Sequence, residues 1–149
     1  MADVFRASNP DYEKAVRDSF ARQGLMTTLG ARIVTLEPGF CVVEMPYAPG
    51  VSQQQGFFHG GAVGAIADTA AGYAAYSLMP AGSEILTVEY KLNLVRAAVP
   101  PTLRAEGRVV RAGKTLTVCR ADVYHQAANG TEPCALLQST LMRVEPGRA

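Results

Sequence analysis

The chain has 149 residues, a net charge of +1, 48% hydrophobic and 18% charged side chains. That length and composition predict one well-buried domain over residues 1–149, with 1–28 as a helical extension. The near-zero charge gives no electrostatic case for nucleic acid as a partner.

Asn9-Pro10-Asp11 reads as a helix start, with a capping Asn, Pro at the first helical position and an acid in the first turn. Tyr12, Ala15, Val16, Ser19 and Phe20 then share one face, and Gly24 is the expected stop. Strands are expected over Ala31–Leu36 and Phe40–Tyr47, joined by a Pro38-Gly39 turn. Residues 48–58 read as a loop. A helix follows from Gly60 to Met79. Glu84–Arg96 alternates as a strand, with Leu86, Val88, Tyr90, Leu92 and Leu94 opposite Thr87, Glu89, Lys91 and Asn93. Pro100-Pro101 ends it. Strands over Thr102–Arg111 and Lys114–Gln126 flank an Ala112-Gly113 hairpin turn. Asn129-Gly130 is a turn leading to a strand over Pro133–Val144. The order is therefore α-β-β-α-β-β-β-β. One long helix, apolar nearly all round, needs covering, and several antiparallel strands in a curved sheet can wrap it. Such a sheet keeps an edge and an open side, which predicts a second subunit.

Cys41, Cys119 and Cys134 lie scattered in apolar stretches and are expected as reduced, buried thiols in a cytoplasmic protein. Two distant histidines, His59 and His125, give no metal-site spacing, so no metal is expected. The N-terminus lacks a basic stretch leading into an apolar one, so no secretory signal is expected. The Gly60–Met79 run approaches membrane-spanning length, but it is rich in Ala and Gly and carries an aspartate. No membrane partner is expected.

That aspartate, Asp68, is the only charged residue between Val51 and Leu78. A carboxylate in a buried helix is expensive unless paired or used. At 100° per residue Gly61, Gly64, Ala65, Ala71, Gly72 and Ala75 lie within roughly 60° of it, with Val63, Ile66 and Tyr73 opposite. Asp68 therefore sits in a strip of small residues that lets a backbone, a helix or a ligand come close. His59-Gly60-Gly61 opens the same helix. Its N-terminus presents unpaired N–H groups and the positive end of the dipole, and glycines let an oxygen approach them, as an oxyanion site requires. Asp68 lies nine residues beyond His59, or ~13.5 Å along a helix, too far for the two groups to grip one carbonyl. A composite site across a two-fold axis is the consequence.

Other signals fade on inspection. Ala112-Gly113-Lys114-Thr115 resembles the end of a P-loop, but Gly107 is wrongly spaced and the context is strand-to-strand. Ser52 and Ser77 have no paired base, and His125 is remote from every motif.

Gln53-x-x-Gly56-x-x-His59-Gly60-Gly61, then Asp68, then Thr87-Val88-Glu89-Tyr90, then Gly113-Lys114-Thr115-Leu116, resembles the hotdog-fold acyl-CoA thioesterases of the phenylacetic-acid-degradation (PaaI-like) type. The resemblance implies an α+β hotdog fold of about six antiparallel strands around one central helix. It implies hydrolysis of a small-molecule acyl-CoA to a free acid and coenzyme A, with no cofactor beyond the CoA of the substrate. It also implies a homodimer with composite active sites, paired into a homotetramer. Asp68 matches the catalytic acid, as nucleophile or general base, and Gly60 the backbone N–H that polarises the thioester carbonyl. Gln53 falls where relatives orient the water or carbonyl, with Gln55 taking that place if the loop is shifted. His59 matches a loop-shaping histidine, Thr87 a hydroxyl near the attacking water, and Gly61 the rest of the helix start. Lys114 is a candidate for the CoA phosphates. Two other readings stay open: a hotdog hydratase or dehydratase with His59 moving the proton, and a non-catalytic acyl-CoA-binding protein.

Overall fold

The computed structural model describes residues 4–126 and 132–147; the Asn129-Gly130 turn expected from the sequence lies outside them. Helix α1 (Tyr12–Ala21) follows Asn9, whose side chain accepts the Asp11 N–H at 3.0 Å and whose carbonyl accepts the Tyr12 N–H at 3.1 Å. Its inward face is the one expected, with Val16 buried and Tyr12, Ala15, Ser19 and Phe20 half-buried. The expected stop at Gly24 is corrected. Gln23 turns extended (φ −79°, ψ 100°) and Gly24 opens a second short helix, α2 (Gly24–Thr28). The left-handed glycine that ends the pair is Gly30, at φ 64°.

Six strands follow: β1 (Arg32–Glu37), β2 (Phe40–Pro46), β3 (Glu84–Leu94), β4 (Thr102–Ala112), β5 (Leu116–His125) and β6 (Ala135–Val144). Gly39, at φ 79°, makes the β1–β2 turn. All neighbours pair antiparallel in the order β1-β2-β4-β5-β6-β3. Strand β3 thus crosses to the far edge beside β6, and β1 and β3 are the two edges. Helix α3 (Gly60–Tyr76) lies in the hollow of the sheet with ten of its seventeen residues buried. This is the α+β arrangement that the resemblance implied. Among the described residues no helix is long and apolar enough to cross a membrane.

What seats α3 is a glycine on a strand. A Cβ on Gly107 of β4 would lie 2.2 Å from the Ala70 carbonyl carbon and 2.3 Å from its oxygen. The helix backbone therefore rests directly on β4, two residues from Asp68. Its C-terminal end is held by Ser77, fully buried, whose Oγ accepts the Gly39 N–H at 2.8 Å and donates to the Ala74 carbonyl at 2.7 Å.

The strip of small residues around Asp68 is divided by this packing. Ala71 and Ala75 are completely buried against the sheet, whereas Gly61, Ala65, Asp68, Gly72 and Tyr76 keep some exposure, at spacings of three and four. Strand β3 also departs from unbroken alternation. Thr87 pairs with Leu141 and Glu89 with Thr140, so Val88 is an extra residue, a β-bulge. The bulge inverts the parity. Tyr90 and Leu92 approach α3 at Gly64, but on the other side of the bulge it is Ile85 and Thr87, not Leu86, that turn toward the helix. Without it Thr87 would share the outer face with Glu89 and Lys91.

The seat at Gly107 predicts that Gly107→Ala, a change of one methyl on a strand, destabilises the fold by about 2 kcal/mol or more, because backbone has to move. Urea unfolding checks this. A loss below about 0.5 kcal/mol would show that α3 does not bear on β4 at this point.

Candidate active site

Asp68 is half-buried on α3, and the Thr87 hydroxyl donates across to its carboxylate, 3.0 Å from Oδ1 and 3.1 Å from Oδ2. Burial pushes the Asp68 carboxyl above its ordinary value, and the Thr87 hydrogen bond partly opposes the shift. The other acids that escape full exposure among the described residues all sit on arginines. Glu44 lies 3.0 Å from Arg32 and 3.3 Å from Arg104, Glu106 lies 3.0 Å from Arg104, and Asp122 lies 2.9 Å from Arg120. Those are structural ion pairs. Among the described residues Asp68 has one neutral hydroxyl beside it and no cation, so only that hydrogen bond opposes the effect of burial.

Asp68 opens into a cleft of about 210 Å³. One wall is Ala65, Thr69, Gly72 and Tyr73 of α3; the facing wall is Ile85, Thr87 and Leu141 of the sheet. Gln23, Leu25 and Met26, from the α1–α2 segment, close the remaining side. The sequence reading did not find these three. Their only signal was the apolar pair Leu25-Met26 placed after a glycine.

The helix start makes a second cleft, about 260 Å³, bordered by Gln53, Gln55, Gly60, Val63, Leu94 and Arg96. His59 precedes α3 in extended conformation, and its Nδ1 accepts the Gly61 N–H at 2.8 Å. The imidazole is therefore the helix cap, and the Gly61 donor is spent on it. The Gly60 N–H has no hydrogen-bond partner among the described residues. A Cβ on Gly60 would sit 2.7 Å from Leu94 Cδ1, so glycine here lets β3 cross close to the helix start. The loop before it is tied down by the Phe58 N–H to the Ala98 carbonyl (2.9 Å) and the His59 N–H to the Val51 carbonyl (2.8 Å). Gln53 is half-buried. Its Oε1 accepts the Gln55 N–H and its Nε2 donates to Gln55 Oε1 at 3.2 Å.

The structure thus brings Thr87 to Asp68, and Gln53, Gln55 and Gly60 to one another, but it does not bring the two groups together. The two clefts share no residue. Lys114 is in neither. With Arg6 and Arg143 it borders a third cleft at the far end of α3, next to Ala75 and Met79. His125 and the three buried, unbridged cysteines line none of the three.

The Asp68–Thr87 pair makes a prediction about pH. Thr87→Val removes the hydrogen bond that lowers the Asp68 pKa and leaves burial acting alone. The acid limb of any activity needing the carboxylate should then move to higher pH than in the wild type. A pH–rate profile checks the direction; a shift to lower pH would contradict it.

Residues 55–130 match the family described as the thioesterase superfamily. A thioesterase family protein from Silicibacter pomeroyi is 44% identical, with a TM-score of 0.87 over 90% of this chain and 98% of that one. A Saccharolobus solfataricus protein bearing a provisional esterase name is 30% identical over 106 residues, 70% of this chain and 75% of that protein. The PaaI protein of E. coli, from the phenylacetic acid degradation operon, is 22% identical and shares the fold, with a TM-score of 0.81 over 93% of this chain and 96% of that one. With its six-stranded sheet wrapped around α3, the chain belongs to the thioesterase superfamily and is a hotdog-fold thioester hydrolase.

Proposed function

We propose that the protein hydrolyses acyl-CoA thioesters, with Asp68 as general base or nucleophile and the Gly60 N–H as oxyanion donor, in a site shared by two subunits. The observation that carries this reading is the split of the chemistry into two clefts along one exposed strand. Strand β3 reaches Asp68 through Thr87 near one end and Gly60 through Leu94 at the other. It is an edge strand with Val88 54%, Tyr90 46% and Leu94 55% exposed, a row of apolar side chains beside unpaired backbone groups. Two such edges pairing antiparallel about a two-fold axis near Tyr90 would set Thr87 of one subunit beside the partner's Leu94. The Asp68 cleft then faces the partner's Gly60 cleft. The small residues Gly61, Ala65 and Gly72 let the two α3 helices approach along the same axis.

The chemistry fits the parts. A thioester needs only a water, a base and an oxyanion donor. A carboxylate with a raised pKa is a stronger base than an exposed one. The unpartnered Gly60 N–H at a helix N-terminus favours the negative oxygen that develops on the carbonyl. Gln53 stands in the Gly60 cleft to orient water or carbonyl, and Gln55 lies beside it. His59 caps α3 through Nδ1, the loop-shaping task that the hydrolase reading gives it. Arg6, Lys114 and Arg143 have no ion-pair partner within the described residues, which supports their holding the CoA phosphates. The free thiols of Cys41, Cys119 and Cys134 suit the reducing cytoplasm. No cofactor enters the proposed reaction, and the dimers are proposed to pair into tetramers.

Asp68→Asn should abolish acyl-CoA hydrolysis while leaving fold and oligomer intact. A thiol-release assay against a panel of acyl-CoAs measures it, and turnover surviving within about tenfold (~1.4 kcal/mol of barrier) would refute the assignment. The sign of the stability effect is fixed as well. A raised folded-state pKa means that Asp68 favours the fold while protonated, below its unfolded pKa, and that this contribution is lost as pH rises through the folded pKa. At neutral pH the Asn variant should therefore be no less stable than the wild type. Tight acyl-CoA binding with no turnover by the wild type would point instead to a binding protein.

A further inference from the structure

We infer that the α1–α2 segment sets the acyl specificity of the enzyme, with Leu25 as the residue that restricts the Asp68 cleft to compact acyl groups. The inference rests on the reading of Asp68 as the group that attacks or activates water at the thioester. Helices α1 and α2 lie outside the 55–130 stretch that matches the superfamily, as do β1, β2 and β6.

The cleft is lined by the hydrocarbon of Ala65, Ile85, Leu141, Leu25 and Met26, with polar atoms of Gln23, Thr69, Tyr73 and Thr87 besides the carboxylate and no cationic side chain. Such walls suit the acyl group, not the amides and phosphates of the CoA arm. The volume, about 210 Å³, is the scale of a single ring; a dry cavity of about 150 Å³ already accepts benzene. The walls cannot all yield to something larger. Met26 is 1% exposed and packs in the core. Tyr73 is 2% exposed, and its hydroxyl receives Gln23 Nε2 at 2.9 Å and lies 3.1 Å from Ser19 Oγ. Its ring is tilted against Phe20 and Tyr76 with centroids 5.9 and 6.2 Å away. These bonds join the helical segment to α3 across the side of the cleft, so that boundary is braced. Leu25 is different. It lines the same cleft yet is 56% exposed, which makes it the outer lip. It is the exposed apolar side chain of the lining, so a chain longer than the cleft that runs outward on the α2 side passes it.

The consequence is a preference for one ring or a short chain over a long chain, set by a residue whose truncation costs little stability because its side chain is half in water. The test compares benzoyl- and hexanoyl-CoA with dodecanoyl-CoA in the full-length protein. The wild type should favour the compact substrates by at least tenfold in kcat/KM. Leu25→Ala should raise the dodecanoyl-to-hexanoyl ratio at least fivefold, and Leu25→Trp should lower it. The same truncation at Leu116, an exposed leucine outside the cleft, should leave the ratio unchanged. A wild type that prefers dodecanoyl-CoA, or a ratio insensitive to Leu25, would overturn the inference. Calorimetric binding of the inert thioethers S-hexyl-CoA and S-dodecyl-CoA separates this from failure of the hydrolase reading. If turnover is absent altogether, the Leu25 variants must still shift the relative affinities in the same directions, and equal affinities would refute the pocket.

Discussion

The structure depends on one contact between two backbones, where Gly107 of β4 meets Ala70 and Ala71 of α3. An alanine-rich helix has little side-chain volume to bury and gains stability only by coming close to its sheet. Here closeness is bought by removing a Cβ from the strand. Once α3 lies that deep, the sheet must curve around it, and the positions of Asp68 and Gly60 relative to β3 follow. A helix of larger residues would ride higher, and a hydroxyl on β3 would not reach the carboxylate.

A second local irregularity turns this frame into a site. The bulge at Val88 reverses which side chains of β3 face the helix and gives Asp68 the Thr87 hydroxyl. Asp68 consequently has a hydrogen bond to fix its orientation but no cation to hold its pKa down. Glu44, with two arginines and the Gln126 amide around it, shows how the same fold treats a carboxylate it needs only for structure. The contrast between these two acids, one held by cations and one without, is what the proposed catalytic role of Asp68 rests on.

The long helix, the strand order along the chain and the anomaly of Asp68 were legible in the sequence because each is a short-range pattern: a run of small apolar residues, alternation, one charge where none belongs. The eight- to nine-residue offset between the helix start and Asp68 was likewise enough to predict that the two groups lie apart within one chain. The bulge was hidden, because Leu86, Val88, Tyr90, Leu92 and Leu94 alternate without a break and only pairing with β6 reveals the extra residue. Gly107 looked like a misplaced phosphate-loop glycine, since its partner is a helix more than thirty residues away in sequence. Gln23, Leu25 and Met26 were missed because a five-residue helix carries too little periodicity to show which way it faces. His59 gave no sign that its ring would take the Gly61 donor; that follows from its extended conformation ahead of α3 (φ −64°, ψ 136°).

The central claim is that catalysis needs Asp68 from one subunit and the Gly60 N–H from its partner, and complementation tests it most directly. Gly60→Pro deletes that N–H at the first helical position, where proline is tolerated, and His59 already has the extended backbone that precedes a proline. The proline ring also displaces Leu94 Cδ1, so Gly60→Ala, which adds the Cβ but keeps the N–H, is the control and should stay active. Alone, Gly60→Pro and Asp68→Asn should each be nearly inactive. Unfolded together and refolded as mixed dimers, they should recover about a quarter of wild-type activity, because half the dimers then carry one intact site of two. Recovery to that level is the result expected; a mixture no more active than its two components would place both groups in one chain and contradict the account.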